Sequence, residues 1–133
     1  MKYLLDTNVV IDILHNVESV AKNYQIQSIK GNEIVICPMV YYEVVRGFKI
    51  ANATKKFSTF LRLYKNWRIL PFDMKAVEKS VEIYAQLHRG QTVEDNDIFI
   101  AATAMVNDCV LVTANTRHFE RVEGLNFVNW RNP

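Results

Sequence analysis

The chain has 133 residues, half of them hydrophobic, with four glycines, three prolines and a formal net charge of +2. That length suits one domain around a single core, and that composition excludes a disordered or low-complexity chain. So small a charge is by itself only a weak pointer to an anionic partner.

The N-terminal segment carries one lysine and a short apolar run that meets Asp6. It reads as neither a signal peptide nor a membrane span, so a cytoplasmic protein is expected. Tyr3, Leu4 and Leu5 form the unbroken apolar run of a strand covered on both faces in a parallel sheet, and Asp6 ends it. Ligands gather beyond the carboxyl ends of such strands, so a carboxylate there can begin a site. Asp6 or Thr7 can equally cap the helix through Val9, Val10 and Ile11, and this stretch alone leaves both roles open.

Val9, Val10, Ile13 and Leu14 fall at helical spacing, and Val20, Tyr24 and Ile29 continue a helical reading to Gly31-Asn32. Glu33 to Cys37 reads as a second buried strand, with Pro38 at the first position of the next helix. There Val40, Val44 and Phe48 make a core-facing stripe, with Glu43 beside it. Asn52-Ala53-Thr54 reads as a break with Thr54 as N-cap, before an amphipathic helix carrying Phe57, Phe60, Leu61 and Tyr64. A short third strand is expected around Ile69-Leu70, ended by Pro71. Asp73 then caps a long helix with Val77, Val81, Tyr84 and Leu87 on one face, ending near Gly90. A loop from Gln91 leads to the densest acidic patch, Glu94-Asp95-Asn96-Asp97, and to a tightly packing helix with Ile98, Ala101, Ala102 and Met105. Cys109 to Val112 is a fourth strand, residues 113–116 a polar turn, and Phe127-Val128 a last edge strand. Alternating strands and helices predict one α/β domain, with a central parallel sheet of four to five strands and helices on both faces. Cys37 and Cys109 sit in apolar runs without CxxC spacing and read as buried thiols.

Four junctions present oxygen donors: Asp6, Glu43, Asp97 with its neighbour Asp95, and Asn115 with Thr113. Carboxylates brought together raise one another's pKa and cost stability unless a cation is present. Mg²⁺ or Mn²⁺ takes one to three carboxylates, keeps several waters and leaves room for phosphate oxygens. Such an ion stabilises phosphoryl charge and lowers the pKa of an attacking water, so phosphodiester hydrolysis is the reaction class that follows. Acids at helix N-termini also complement the macrodipole, which is the structural alternative. The chain contains no P-loop, GxSxG, His-rich metal motif or dinucleotide fingerprint.

The runs Leu5-Asp6-Thr7-Asn8-Val9, Tyr42-Glu43-Val44-Val45-Arg46-Gly47, Asp97-Ile98-Phe99-Ile100-Ala101-Ala102 and Leu111 to Phe119 resemble the four motifs of PIN-domain proteins. In order and spacing they resemble in particular the VapC-type ribonuclease toxins of toxin–antitoxin pairs, over essentially residues 1–133. The resemblance makes Asp6, Glu43 and Asp97 the metal-binding acids and gives Asn115 the fourth catalytic position, as an amide that binds through water or orients substrate. Thr7, Asn8 and Thr113 would hold the acids in place. Asp95 would either touch a second metal or cap its helix. His118 stands where an acidic residue is common and reads as an exposed variation, not a catalytic base. The resemblance further implies an endoribonuclease dependent on Mg²⁺ (or Mn²⁺), a homodimer, and a cognate VapB-type antitoxin whose tail covers the site. Tyr41, Phe48, Phe57 and Phe60 are candidates for that groove, with core packing as the alternative.

From Val44 through Phe72 the chain has seven basic residues and no acid. Arg46, Lys49, Lys55, Arg62 and Lys65 from that block, with Arg117 beside the polar turn, are the candidates for contact with RNA phosphates. Two other readings compete. A phosphotransferase with an aspartyl nucleophile usually has a second Asp two residues on, where Asn8 stands. A non-catalytic module binding RNA or antitoxin would leave the acids without a cation to hold.

Overall fold

The computed structural model describes residues 1–87 and 93–132, so the expected helix end near Gly90 and loop start at Gln91 lie outside the described residues. Five strands, β1 (Lys2–Leu5), β2 (Glu33–Ile36), β3 (Arg68–Ile69), β4 (Cys109–Val112) and β5 (Phe127–Val128), form one sheet in the order β3-β2-β1-β4-β5. Every pairing is parallel, with Tyr3 opposite Ile34 on one side and Val110 on the other. The central strand β1 is buried from both faces, which is why Leu4 and Leu5 are fully buried although their side chains point in opposite directions.

The helices among the described residues are α1 (Thr7–Leu14), α2 (Glu18–Ile29), α3 (Pro38–Ala51), α4 (Thr54–Tyr64), α5 (Met74–Leu87), α6 (Asp95–Val106) and α7 (Thr116–Phe119). From β1 the chain winds outward through β2 to β3, then returns to β4 on the other side of β1. Right-handed crossovers put the helices of these two excursions on opposite faces of the sheet. In keeping with this, α1 packs on α2, α3 and α4, and α5 packs on α6. The reversal leaves a crevice between the carboxyl ends of β1 and β4, where open α/β sheets bind ligands. No helix of the described residues is long and apolar enough to cross a membrane.

Three sequence expectations are corrected. The helix expected to run on toward Gly31 is broken, because Asn16 turns left-handed at φ 55° between α1 and α2. Asparagine adopts that conformation more readily than most residues, so the break has a local cause. At α4 the N-cap is Ala53, not Thr54, which is already helical. The buried face of α5 is Ala76, Ser80, Ile83 and Leu87, whereas Val81 and Tyr84 are exposed. Small residues win there because α5 lies closely against α6, which is lined by fully buried Ala101 and Ala104. Ser80 enters this contact because its hydroxyl donates to the Ala76 carbonyl at 2.7 Å. Other expectations hold: Pro38 opens α3 with Val40, Val44 and Phe48 buried, Asp73 accepts the Ala76 N–H, and both cysteines are buried.

The C-terminal segment is latched across α1. Trp130 is buried against Tyr3, and Arg131 forms a two-pronged pair with buried Asp12, at 2.7 and 2.6 Å. Removing one partner of such a pair leaves a buried charge uncompensated. Because half of the Arg131 side chain is exposed, water offsets part of that cost. Arg131→Ala is expected to lower stability by about 2 kcal/mol in urea unfolding. A change below about 0.5 kcal/mol, the range of ordinary surface substitutions, would show that the latch is not holding α1.

Candidate active site

Asp6 emerges from β1 at the crevice and is the N-cap of α1. Its backbone N–H continues the ladder to Val112, and its Oδ1 accepts the Thr7 N–H at 2.8 Å. On the far side of the crevice Thr113, fully buried after β4, donates its hydroxyl to Asp6 Oδ2 at 2.8 Å. The Asn115 N–H in turn donates to Thr113 Oγ1 at 2.9 Å. Asp6 therefore caps α1 and presents its carboxylate at the crevice in one arrangement.

Glu43 reaches the same place from α3. The Thr7 hydroxyl donates to Glu43 Oε1 at 2.8 Å, tying the start of α1 to a helix 36 residues away in sequence. Asp97 comes from the first turn of α6, which contacts α3. Burial pushes the Asp6 carboxyl up from 3.8 to about 6, against the lowering hydrogen bonds from Thr113 and Thr7. The negative charges of Asp97 and Glu43 push in the same direction as burial. Among the described residues no three His, Cys, Asp or Glu side chains already form a ready-made metal-ligand group. The donor chemistry nonetheless fits a hard divalent cation: three carboxylates share one field, and the most buried of them resists ionisation without a counter-charge.

Three expectations change. His118 is not a detached surface variation: its Nδ1 lies 3.1 Å from Asp97 Oδ2 and 2.8 Å from the Asn115 side-chain nitrogen. The short helix α7, absent from the sequence reading, brings it there by burying Phe119 next door. A clue was available, since Thr116 to Phe119 follows Asn115 as a compact polar–apolar turn. Asn8, expected to steady the acids, is exposed, and among the described residues its side chain bonds none of them. Thr7 and Thr113 do this instead. Asp95 is exposed at the first position of α6, where Glu94 is the N-cap, so of the two roles expected for it, metal contact or capping, the capping one is not realised.

The basic residues divide. Arg68 is held by Glu33 in a two-pronged pair at 2.7 and 2.9 Å, and Lys56 Nζ lies 2.7 Å from His15 Nε2. Arg46 sits over the exposed Tyr42 ring at 5.0 Å, and Lys49 over Phe57 at 5.7 Å. Lys55, Arg62, Lys65 and Arg117 are exposed. Of the aromatic groove candidates, Phe60 is core and Tyr41 packs on it, while Phe48 and Phe57 line an open groove of about 410 Å³ between α3 and α4.

The PIN-domain profile matches residues 3–125. Ribonuclease VapC1 of Methanocaldococcus jannaschii is 31% identical over 92% of this chain and 82% of its own length. The tRNA(fMet)-specific endonuclease VapC of Shigella flexneri is 29% identical over 98% of both chains. Among solved structures, VapBC2 of Rickettsia felis, bound to a DNA fragment from its promoter, contains a chain that superposes with a TM-score of 0.87 at 26% identity, covering 98% of this chain and 99% of that one.

Proposed function

Because this chain belongs to the PIN-domain family, and within it to the VapC group at 31% identity over 92% of its length, we propose that it is a divalent-metal-dependent endoribonuclease, the toxin of a toxin–antitoxin pair. The observation that carries the reading is the state of Asp6: a carboxyl buried at the crevice, pushed up to about 6, and facing the charges of Asp97 and Glu43. A group so placed is suited to holding a cation, and perturbed acids cluster where chemistry is done.

In this reading Asp6, Glu43 and Asp97 hold Mg²⁺ or Mn²⁺ through carboxylate oxygens, while Thr113 and Thr7 fix the orientation of Asp6 and Glu43. Once bound, the ion supplies an activated water and stabilises charge on the phosphoryl group. Arg46, Lys49, Lys55, Arg62, Lys65 and Arg117 draw the RNA backbone by charge, independently of sequence. Asn115 orients substrate beside the acids, and its backbone N–H keeps the Thr113 hydroxyl aimed at Asp6. No nucleophilic side chain is required. The VapBC complexes among the structural relatives support a VapB-type antitoxin as partner, and the homodimer is what the motif resemblance alone implies.

The test is cleavage of total cellular RNA by purified, antitoxin-free protein with Mg²⁺ or Mn²⁺, beside EDTA. Metal-dependent fragments are expected, reduced by roughly 10²-fold or more in Glu43→Gln and Asp97→Asn. Full activity in folded Asp97→Asn would remove that acid from the site. The absence of cleavage by folded, metal-loaded protein would favour a binding module.

A further inference from the structure

We propose that His118 Nδ1 is a ligand of the cation site beside Asp97, and that this nitrogen shifts the site's preference from Mg²⁺ toward Mn²⁺ and Co²⁺. The proposal rests on the metal-dependent reading above and adds to it the identity of a donor and the class of ion it selects.

The hydrogen bonding around His118 is in conflict. His118 Nδ1 faces the Asp97 Oδ2 acceptor at 3.1 Å and the Asn115 side-chain amide donor at 2.8 Å. A protonated Nδ1 satisfies Asp97 but opposes the amide hydrogens. A bare Nδ1 accepts from Asn115 but sets its lone pair beside a carboxylate oxygen. With the Asn115 amide nitrogen turned toward the ring, neither tautomer satisfies both neighbours, whereas a cation shared by bare Nδ1 and Asp97 Oδ2 makes two ligands of that pair.

The spacing agrees. Adjacent donors on one octahedral ion at about 2.1 Å lie roughly 3 Å apart. Nδ1 and Oδ2 are 3.1 Å apart without any ion between them. Access also agrees, since the His118 side chain is 44% exposed and that of Asp97 20%, so solvent and ion reach the pair from outside. Phe119, fully buried in the next position, fixes α7 and with it the imidazole.

Donor chemistry then sets the metal. Mg²⁺ takes oxygen ligands and parts reluctantly with its waters. Imidazole is a borderline donor whose affinity rises along the first transition row, so one nitrogen gives Mn²⁺ and especially Co²⁺ an advantage that an all-oxygen site lacks.

The experiment is calorimetric titration of the purified protein with MgCl₂, MnCl₂ and CoCl₂, for wild type, His118→Ala and the oxygen-donor variant His118→Glu. Thermal melting establishes that each is folded. Wild type is expected to bind Co²⁺ and Mn²⁺ more tightly than Mg²⁺. His118→Ala is expected to lose about tenfold or more for Co²⁺ but no more than about threefold for Mg²⁺, and His118→Glu to restore Mg²⁺ without restoring Co²⁺. Electron spin-echo spectroscopy of Mn²⁺ on the wild-type protein needs no variant and is expected to show coupling to a histidine nitrogen. Tight binding with no nitrogen coupling, or an equal loss for all three metals, overturns the assignment and leaves the metal-dependent reading intact. Wild-type protein that binds none of the three ions overturns both.

Discussion

Asp6→Asn is expected to abolish RNA cleavage and, in the same protein, to raise thermal stability when metal is withheld. The loss of activity should be roughly 10³-fold or more, because the most buried of the three acids then carries no charge with which to hold a cation. The gain in stability follows from linkage. The Asp6 carboxyl titrates near 6 in the fold against 3.8 for the ordinary group, so folding favours its protonated form. Stability from that preference is fully present below the unfolded value and is lost as pH rises through about 6. At pH 7.5 the ionised carboxylate therefore weighs against the metal-free fold, with an upper bound of about 3 kcal/mol.

Asparagine removes that weight and keeps most of the hydrogen bonding. Its oxygen can accept the Thr7 N–H, and its amide can donate to the Thr113 hydroxyl, which already accepts from the Asn115 N–H. Turning that hydroxyl costs part of the gain. A net rise of about 2 kcal/mol remains, or roughly 6–8 °C in Tm, in EDTA at pH 7.5. The difference should vanish below about pH 3, where Asp6 is protonated in both states. Scanning fluorimetry at the two pH values checks it. An unchanged melting point at pH 7.5 would mean that Asp6 is not strained in the metal-free fold.

Phe60→Ala is expected to be the most damaging single substitution away from the site. Phe60 is fully buried on α4. Its ring centroid lies 5.8–6.4 Å from those of Tyr41, Phe48, Tyr64 and Trp67. Truncation forfeits the transfer free energy of the ring and leaves a cavity whose walls are themselves aromatic and slow to collapse, at about 4 kcal/mol. Against a typical total of about 5–15 kcal/mol, that removes a large share of the protein's stability. Urea unfolding should show a lower midpoint at unchanged slope, with Phe60→Leu costing much less. A loss below about 1 kcal/mol would mean that α4 is only loosely docked on α3. The consequence reaches function as well, because α4 carries Lys55 and Arg62 on the surface proposed to meet RNA, and α3 carries Glu43.

Strong local signals were legible directly. The apolar runs at Tyr3–Leu5, Ile34–Ile36 and Cys109–Val112 are strands because side chains buried on both faces must all be apolar. Pro38 and the Val40, Val44 and Phe48 stripe likewise announced α3. Where apolar size and packing needs diverge, sequence misleads. Val81 and Tyr84 look like a buried face of α5, yet close approach to α6 selects Ala76 and Ser80. The break at Asn16 depends on one left-handed residue that hydrophobic spacing does not register.

The sequence by itself determined the fold class, the positions of Asp6 and Asp97 at element ends and of Glu43 inside α3, and family membership through four ordered motifs, because all of these are written in local runs and spacing. Only the tertiary structure decided how those acids are supported. Thr7 to Glu43, Thr113 to Asp6, and His118 to Asp97 are contacts between elements 36, 107 and 21 residues apart, created when the chain reverses direction about β1. Burial of Asp6 is likewise a property of the closed crevice, not of its neighbours in sequence, and that burial is the main cause of its raised pKa.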